Sequence, residues 1–245
     1  MQRATRWRSA LRAALGVAIV VGASTAAVAG CVSTVAGVPR VGSDRAPLSG
    51  GPDLAAAQLA DVLLDVAAVN QFMGTNTMTE SRTYDQMPGD DGSYSDAACA
   101  GAVFNTVEAA YKGSGYVATK GAQFSDTGGK HYVDQGVVAF GSGSDARKFL
   151  ATSQGSWRRC VAKHVTYKAK NDSPITWTIR APVTTEGITV AVVDQEGGEG
   201  YACAHGITAK SNVVIDVSAC SNGMDKQGVE MATNVINAIA GKFPT

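Results

Sequence analysis

Histidine is scarce in this sequence, with three residues among 245, and none has a second candidate ligand at a metal-binding spacing. The five cysteines include no CxxC pair, so they lack the paired pattern of a structural zinc site. A Walker lysine is also missing from the Gly-Ser turn over Gly141–Ser144, which argues against a nucleotide-binding loop there. We therefore expect no metal site and no cofactor.

Clustered positive charge is missing from most of the chain. Lys+Arg and Asp+Glu both total 21, but four of the arginines lie in the first thirty residues, which contain no acid. Removing those four leaves 17 basic and 21 acidic side chains, a net charge of −4 for the rest of the chain. Because nucleic-acid binding depends on clustered Lys and Arg that displace counterions, we expect no nucleic-acid partner.

The N-terminus lacks an apolar run long enough for a membrane-spanning helix, since Ala13–Ala23 falls short of the ~20 residues required. Residues 1–30 instead combine a basic start, this run and small residues, the pattern of a secretory signal peptide. Val28–Cys31 (VAGC) is typical of a bacterial lipobox, so we predict acylation of Cys31 and attachment to the plasma membrane through that lipid. The alternatives are a permanent N-terminal anchor and a cysteine beside an ordinary cleavage site.

The rest of the chain reads as a tether and one domain. Residues 31–52 are rich in Gly, Ser and Pro without an apolar period, which predicts a flexible tether before a domain over 53–245. Between the first two helices, a polar segment predicts an ordered loop with little regular structure. Periodicity predicts helices near 53–70, 96–110, 144–160 and 225–241, and strands near 116–124, 131–140, 163–169, 174–181, 187–194, 200–208 and 212–219. This order indicates an α+β fold with an antiparallel-rich central sheet and helices packed on it.

Four cysteines remain after Cys31, and an even number in an exported chain predicts two disulfides, for which three pairings are possible. If the last hairpin turns between Lys210 and Ser211, Cys203 and Cys220 lie nearly opposite each other. Cross-strand Cβ atoms about 4.5–5.5 Å apart are close to disulfide geometry, which favours Cys203–Cys220. The pair Cys99–Cys160 then follows by elimination.

The same hairpin register sorts side chains between two faces of the sheet. The apolar face, with Val213, Ile215 and Val217, should pack beneath a helix. The other face carries Tyr201, His205, Asp216 and Ser218 beside Cys203 and Cys220, and we predict that it forms a partly open ligand cleft. A hydrolase using His205, Asp216 and Ser218 is an alternative, although Ser218 lacks the strained Gly-x-Ser-x-Gly turn typical of such nucleophiles.

Several separated segments together resemble one known family. They are the helix end Trp157–Cys160, reached from the strand-turn-helix segment 137–150, then the Trp177 strand, 201–205, 213–220 and a final Ala/Ile helix. Over residues 53–243 the chain resembles the extracellular sensor domain of mycobacterial PknH-type serine/threonine kinases, which also occurs in free-standing mycobacterial lipoproteins. The resemblance implies two disulfides among the four cysteines and a central cleft for an unidentified ligand. The absence of kinase motifs implies a sensor-like module without an intracellular output.

These observations favour an exported lipoprotein on the outer face of the cell membrane, with a non-catalytic domain that binds an unidentified small molecule or partner protein. An envelope hydrolase and a structural or host-facing surface lipoprotein are the two alternatives.

Overall fold

The computed structural model describes residues 48, 50–88, 92–224 and 226–245. The predicted signal peptide, Cys31 and most of the predicted tether lie outside these residues. Within the described ranges, none of the helices combines the length and apolar character needed to span a bilayer.

A ten-stranded antiparallel sheet forms the centre of the domain, with strand order β1-β3-β4-β10-β9-β8-β6-β5-β2 and β7 also paired with β8. The strands are β1 (Thr79–Tyr84), β2 (Gly92–Tyr94), β3 (Tyr116–Ser125), β4 (His131–Phe140), β5 (His164–Ala169), β6 (Ile175–Ile179), β7 (Val183–Thr185), β8 (Ile188–Gln195), β9 (Tyr201–Lys210) and β10 (Val213–Asn222). The α-helices are α1 (Val66–Met73), α2 (Ala100–Val103), α3 (Glu108–Tyr111), α4 (Gly143–Arg159) and α5 (Lys226–Gly241), and 3-10 helices span Ala56–Val62 and Ala97–Cys99. The predicted α+β class with an antiparallel sheet is confirmed.

Each face of the sheet carries its own hydrophobic core. On one face, α5 packs Ala232, Ile236 and Ile239 against the β10 residues Val213, Ile215 and Val217, all of which are buried. On the other face, α4 packs Ala146, Phe149 and Trp157. The alternation along β10 therefore directs its apolar residues to α5, as its pattern predicts.

Two disulfides join Cys99 to Cys160 and Cys203 to Cys220. The second lies directly across the β9–β10 hairpin, where the two cysteines are register partners with Cα atoms 4.0 Å apart. The first ties the start of α2 to the end of α4, with Cα atoms 5.7 Å apart. Both pairs are those that the hairpin register favours.

The first predicted helix is wrong as a continuous element. It divides into the 3-10 helix Ala56–Val62 and the α-helix Val66–Met73. Between them, the buried side chain of Gln135 binds the backbone of Leu64, accepting from its N–H at 2.9 Å and donating to its C=O at 2.7 Å. Asp65 then caps α1 by accepting from Ala68 N. A side chain that is distant in the sequence thus binds the N–H and C=O groups that a continuous helix would use for its own hydrogen bonds.

The second predicted helix and the loop before it also differ from the structure. The loop contains two short edge strands, β1 and β2, and five of the six β1 residues are exposed, so the segment lacks the apolar alternation that marks a strand. The helix breaks after Val103 and resumes at Glu108. The break includes Thr106, whose φ of 51° lies in the left-handed region.

Candidate functional site

A cavity of about 300 Å³ opens on the α4 side of the sheet. The broken segment after α2 forms part of its wall, and β4, β9 and β10 supply its sheet-side residues. Aromatic rings contribute six of the fifteen lining residues. The lining residues are Pro88, Tyr94, Val103, Phe104, Asn105, Val107, Gln123, Tyr132, Asp134, Tyr167, Trp177, Tyr201, Cys203, Ser218 and Cys220.

Strand alternation explains why polar groups meet at this cavity. Tyr132 and Asp134 are two residues apart on β4 and therefore share one face, and β10 runs beside them with Ser218 paired to Asp134. On the other side of β4, Gln123 is the β3 register partner of Asp134. The three strands thus bring an amide, a hydroxyl, a phenol and a carboxyl group together.

The acidic group of the cavity is the carboxyl of Asp134, which is 4% exposed. Tyr84 donates to its Oδ1 at 2.8 Å, and Gln123 and Tyr132 donate to its Oδ2 at 2.8 and 3.3 Å. Burial raises the pKa of Asp134 to about 6, against the lowering effect of the hydrogen bonds from Gln123, Tyr84 and Asn105. The Asp134 carboxyl therefore lies in a low-dielectric setting and is held by neutral donors.

The phenols around Asp134 are held in their protonated form. Burial and the adjacent Asp134 carboxyl raise the pKa of Tyr132, and burial followed by the charge of Asp126 raises the pKa of Tyr201 to about 12. Both phenols therefore carry their hydrogen at neutral pH and can donate to a ligand or to Asp134.

Aromatic rings form the outer wall of the cavity. The Phe104 ring packs with ring centroids 5.8 Å from Tyr94, 5.5 Å from Tyr167 and 6.3 Å from Trp177. Trp177 lies 6.5 Å from the ring of Tyr201 on the other side. Among the described residues, the buried indole N–H of Trp177 finds no hydrogen-bond partner. An unpaired buried donor is costly.

The predicted cleft residues fall into two groups. Tyr201 and Ser218 line the cavity, together with the Cys203–Cys220 disulfide. His205 and Asp216 do not line it, and they are 0% and 2% exposed beneath the α2–α4 helices. Helices from distant parts of the chain thus cover His205 and Asp216, whereas Tyr201 and Ser218 stay in the lining of the cavity.

His205 and Asp216 belong to a sealed polar network. Asp216 Oδ1 contacts His205 Nε2 at 2.7 Å, and its Oδ2 accepts from the Thr106 backbone N–H and the Tyr111 hydroxyl, both at 2.9 Å. His205 Nδ1 lies 3.3 Å from the carbonyl oxygen of Ala102. Since both ring nitrogens are engaged, neither is placed to take a proton from Ser218, whose hydroxyl instead contacts Cys220 Sγ at 3.8 Å. The three residues therefore lack the geometry of a hydrolase triad.

Several cavity residues were not predicted from the sequence. Asp134 and Tyr132 could have been found by extending the β10 face assignment to the predicted neighbouring strand 131–140. Phe104 and Asn105 could not, because the sequence pattern places them inside a helix. Among the described residues, no group of three or more His, Cys, Asp or Glu side chains is arranged to hold a metal ion.

Comparison with known proteins shows which family shares this architecture. The family model described as the PknH-like extracellular domain matches residues 54–242. The serine/threonine-protein kinase PknH of Mycobacterium tuberculosis is 32% identical over 196 residues, which cover 79% of this chain and 31% of the kinase. The kinase PknJ of the same organism is 27% identical over 198 residues, covering 79% of this chain and 33% of the kinase. The chain thus spans about a third of the length of these curated relatives.

The fold is also similar to a solved structure. The crystal structure of the extracellular domain of PknH from Mycobacterium tuberculosis superposes with a TM-score of 0.72 at 30% identity, covering 78% of this chain and 100% of that domain.

Proposed function

Because this chain belongs to the family of PknH-like extracellular domains, we propose that it is a non-catalytic binding protein of the cell envelope that captures a small molecule in the cavity beside Asp134. Its family is extracellular, and the lipobox of the sequence favours attachment to the outer face of the membrane through lipid on Cys31. The match covers about a third of each kinase and is described as an extracellular domain. We therefore propose that this domain binds a ligand and does not transfer phosphate.

The observation that carries the proposal is the composition of the cavity. A volume of about 300 Å³ is at the small end of ligand pockets, which are typically apolar or aromatic with a few convergent polar groups. Six aromatic residues and the polar groups of Asn105, Asp134 and Ser218 fit this description.

The geometry favours binding over hydrolysis. A hydrolase needs an accessible nucleophile bonded to a base, whereas His205 is fully buried and bonded to Asp216 and to Ala102. A surface protein without a ligand would have little use for a buried carboxyl at the base of an open aromatic cavity, since burying that group costs free energy.

A fragment screen on the full chain tests the proposal. We expect saturation-transfer NMR with a mixed library of sugars, amines and aromatic alcohols to identify fragments that lose affinity in Tyr201→Ala. Aromatic contacts are worth about 0.5–1.5 kcal/mol, so the loss should be about two- to tenfold. Tyr116→Ala is the matched control, because Tyr116 is a partly buried tyrosine outside the cavity lining. A library with no binder, or binders equally affected by both variants, would contradict the proposal.

A further inference from the structure

We infer that the ligand of this cavity carries a positive charge, as an ammonium or quaternary ammonium group bound between Asp134 and the aromatic wall. The inference rests on the proposed function and specifies the chemistry of the ligand.

The charges that line the cavity are of one sign. In the part of the chain that the structure describes, the fifteen lining residues include Asp134 but no Lys, Arg or His. The second buried carboxyl, Asp216, faces Asp134 from β10 and acts against its ionisation, while pairing with His205 on its own side. An anionic ligand would enter against this field with no cation to receive it.

The groups that donate to Asp134 are neutral, although the positive charge of Arg82 on β1 acts on the neighbouring Tyr132. Tyr84 approaches from β1, Gln123 from β3 and Tyr132 from β4 itself. Asn105, from the segment after α2, donates to the Asp134 backbone oxygen at 3.3 Å. These donors solvate the carboxylate without neutralising it. A buried carboxylate without a positive partner is costly, so a cation gains more from this site than a neutral molecule of the same shape.

The aromatic wall suits the same class of ligand. A cation is attracted to the face of an aromatic ring within about 6 Å of its centroid, most strongly to Trp, and more so where water is displaced. Tyr132 donates to the Asp134 carboxyl at 3.3 Å, and Tyr201 and Trp177 line the same cavity farther from it. An ammonium group there would combine a direct charge interaction with ring contacts, which are the two features that the lining supplies together.

Protonation of Asp134 separates a cation from a neutral ligand such as a sugar, which aromatic rings and amides can also bind. Burial raises the pKa of Asp134 to about 6, so the carboxyl is largely ionised at pH 7.5 and largely protonated at pH 5. A cation favours the ionised form and must displace the proton below the pKa. Its affinity should therefore fall toward tenfold per pH unit below about pH 6, whereas the affinity of a neutral ligand should not.

The test compares two molecules of nearly equal shape, choline and its uncharged carbon analogue 3,3-dimethylbutan-1-ol, by calorimetry on the full chain at pH 5 and pH 7.5. We expect choline to bind at least tenfold more tightly than the alcohol at pH 7.5, and to lose about tenfold at pH 5. Asp134→Asn should remove most of this preference and its pH dependence. Asp61→Asn is the control, since Asp61 is an exposed carboxyl on the 3-10 helix Ala56–Val62, outside the cavity lining.

The outcomes separate the two proposals. Equal binding of the two probes, or a choline affinity independent of pH, overturns the cationic inference and leaves ligand capture standing. If neither probe binds while neutral fragments still bind through Tyr201, the cationic inference is likewise overturned and ligand capture stands. A cavity that binds no probe and no fragment overturns both. Since the pH dependence is measured on the unchanged chain, the test stands even where Asp134→Asn folds poorly.

Discussion

The buried carboxyl of Asp216 contacts the ring of His205 and accepts hydrogen bonds from the hydroxyl of Tyr111 and the backbone N–H of Thr106. The other ring nitrogen of His205 faces the carbonyl oxygen of Ala102. The ring of His205 thus bridges the Asp216 carboxyl group and the backbone of α2, and Asp216 in turn binds Thr106 in the segment after α2.

We expect His205→Ala to lower the free energy of unfolding by about 2–5 kcal/mol, because it removes a fully buried ring and one of the three hydrogen-bond partners of the buried Asp216 carboxyl group. Urea unfolding with the disulfides intact measures this change. The matched control is His164→Ala, whose side chain is 67% exposed, and which should change stability by no more than about 0.5 kcal/mol. A loss below about 1 kcal/mol for His205→Ala would show that the pair is not a structural element.

The face of each of these residues could be predicted from the sequence, but its accessibility could not. Alternation along β9 and β10 correctly grouped Tyr201, His205, Asp216 and Ser218 on one side of the sheet. Whether that side is open depends on helices α2–α4, which come from distant positions in the sequence and bury His205 and Asp216 outside the cavity lining. The alternation along a strand predicts to which face of the sheet each side chain points, but not which elements pack on that face.

At the scale of elements, two glycines that face each other on neighbouring strands allow β1 and the segment after α2 to pack closely against the sheet. Gly121 and Gly136 are register partners on β3 and β4. A Cβ atom at Gly121 would lie 2.0 Å from the Tyr84 ring, and one at Gly136 would lie 2.1 Å from Thr106 Oγ1. These distances exclude any side chain without movement of the neighbour. The glycine pair therefore lets β1 and the segment after α2 approach the sheet closely enough to surround Asp134.

Gly136→Ala should destabilise the domain by about 1–3 kcal/mol, the range for overpacking a well-packed core. Thr106 cannot move freely, because its backbone N–H is bonded to Asp216 and its φ is already 51°. Chemical unfolding measures the loss, and hydrogen exchange should show a weaker protection of the Thr106 amide.

Gly155→Ala provides the control for this change. Its Cβ would meet nothing closer than 3.6 Å within α4, so it should instead stabilise by about 0.5–1 kcal/mol through helix propensity. Equal effects of the two substitutions would contradict the assigned role of Gly136.

The elements that the sequence predicts well are those with a regular pattern of their own. The β3–β4 and β9–β10 hairpins, α4 and α5 carry clear alternation or helical stripes, and their observed bounds agree with the predicted ranges to within a few residues. The segment from 53 to 111 was predicted poorly because its breaks are set by remote side chains, Gln135 at Leu64 and Asp216 at Thr106. Such contacts leave no local signal in the sequence.

At the scale of the whole molecule, the N-terminal segment at Pro52 and Leu54 and the cavity lie at opposite ends of the β9–β10 hairpin. Near the turn, Ser211 donates to the carbonyl of Pro52 at 2.7 Å, and Asn212 exchanges hydrogen bonds with the Leu54 backbone. The cavity includes Cys220, eight residues further along β10, which is about 27 Å at about 3.4 Å per residue.

We propose that the chain is anchored to the membrane through lipid on Cys31. We expect Cys31→Ala to abolish acylation and to release the protein from the detergent phase in Triton X-114 partitioning, because acyl chains contribute about 0.8 kcal/mol per buried CH₂ and no described helix can replace them. Ser33→Ala, two residues away, should mature and partition like the unchanged protein. If Cys31→Ala is still processed at the same site and stays with the membrane, the lipoprotein assignment is wrong. Membrane attachment would then not explain why the cavity lies far from the N-terminal end of the domain at Pro52 and Leu54.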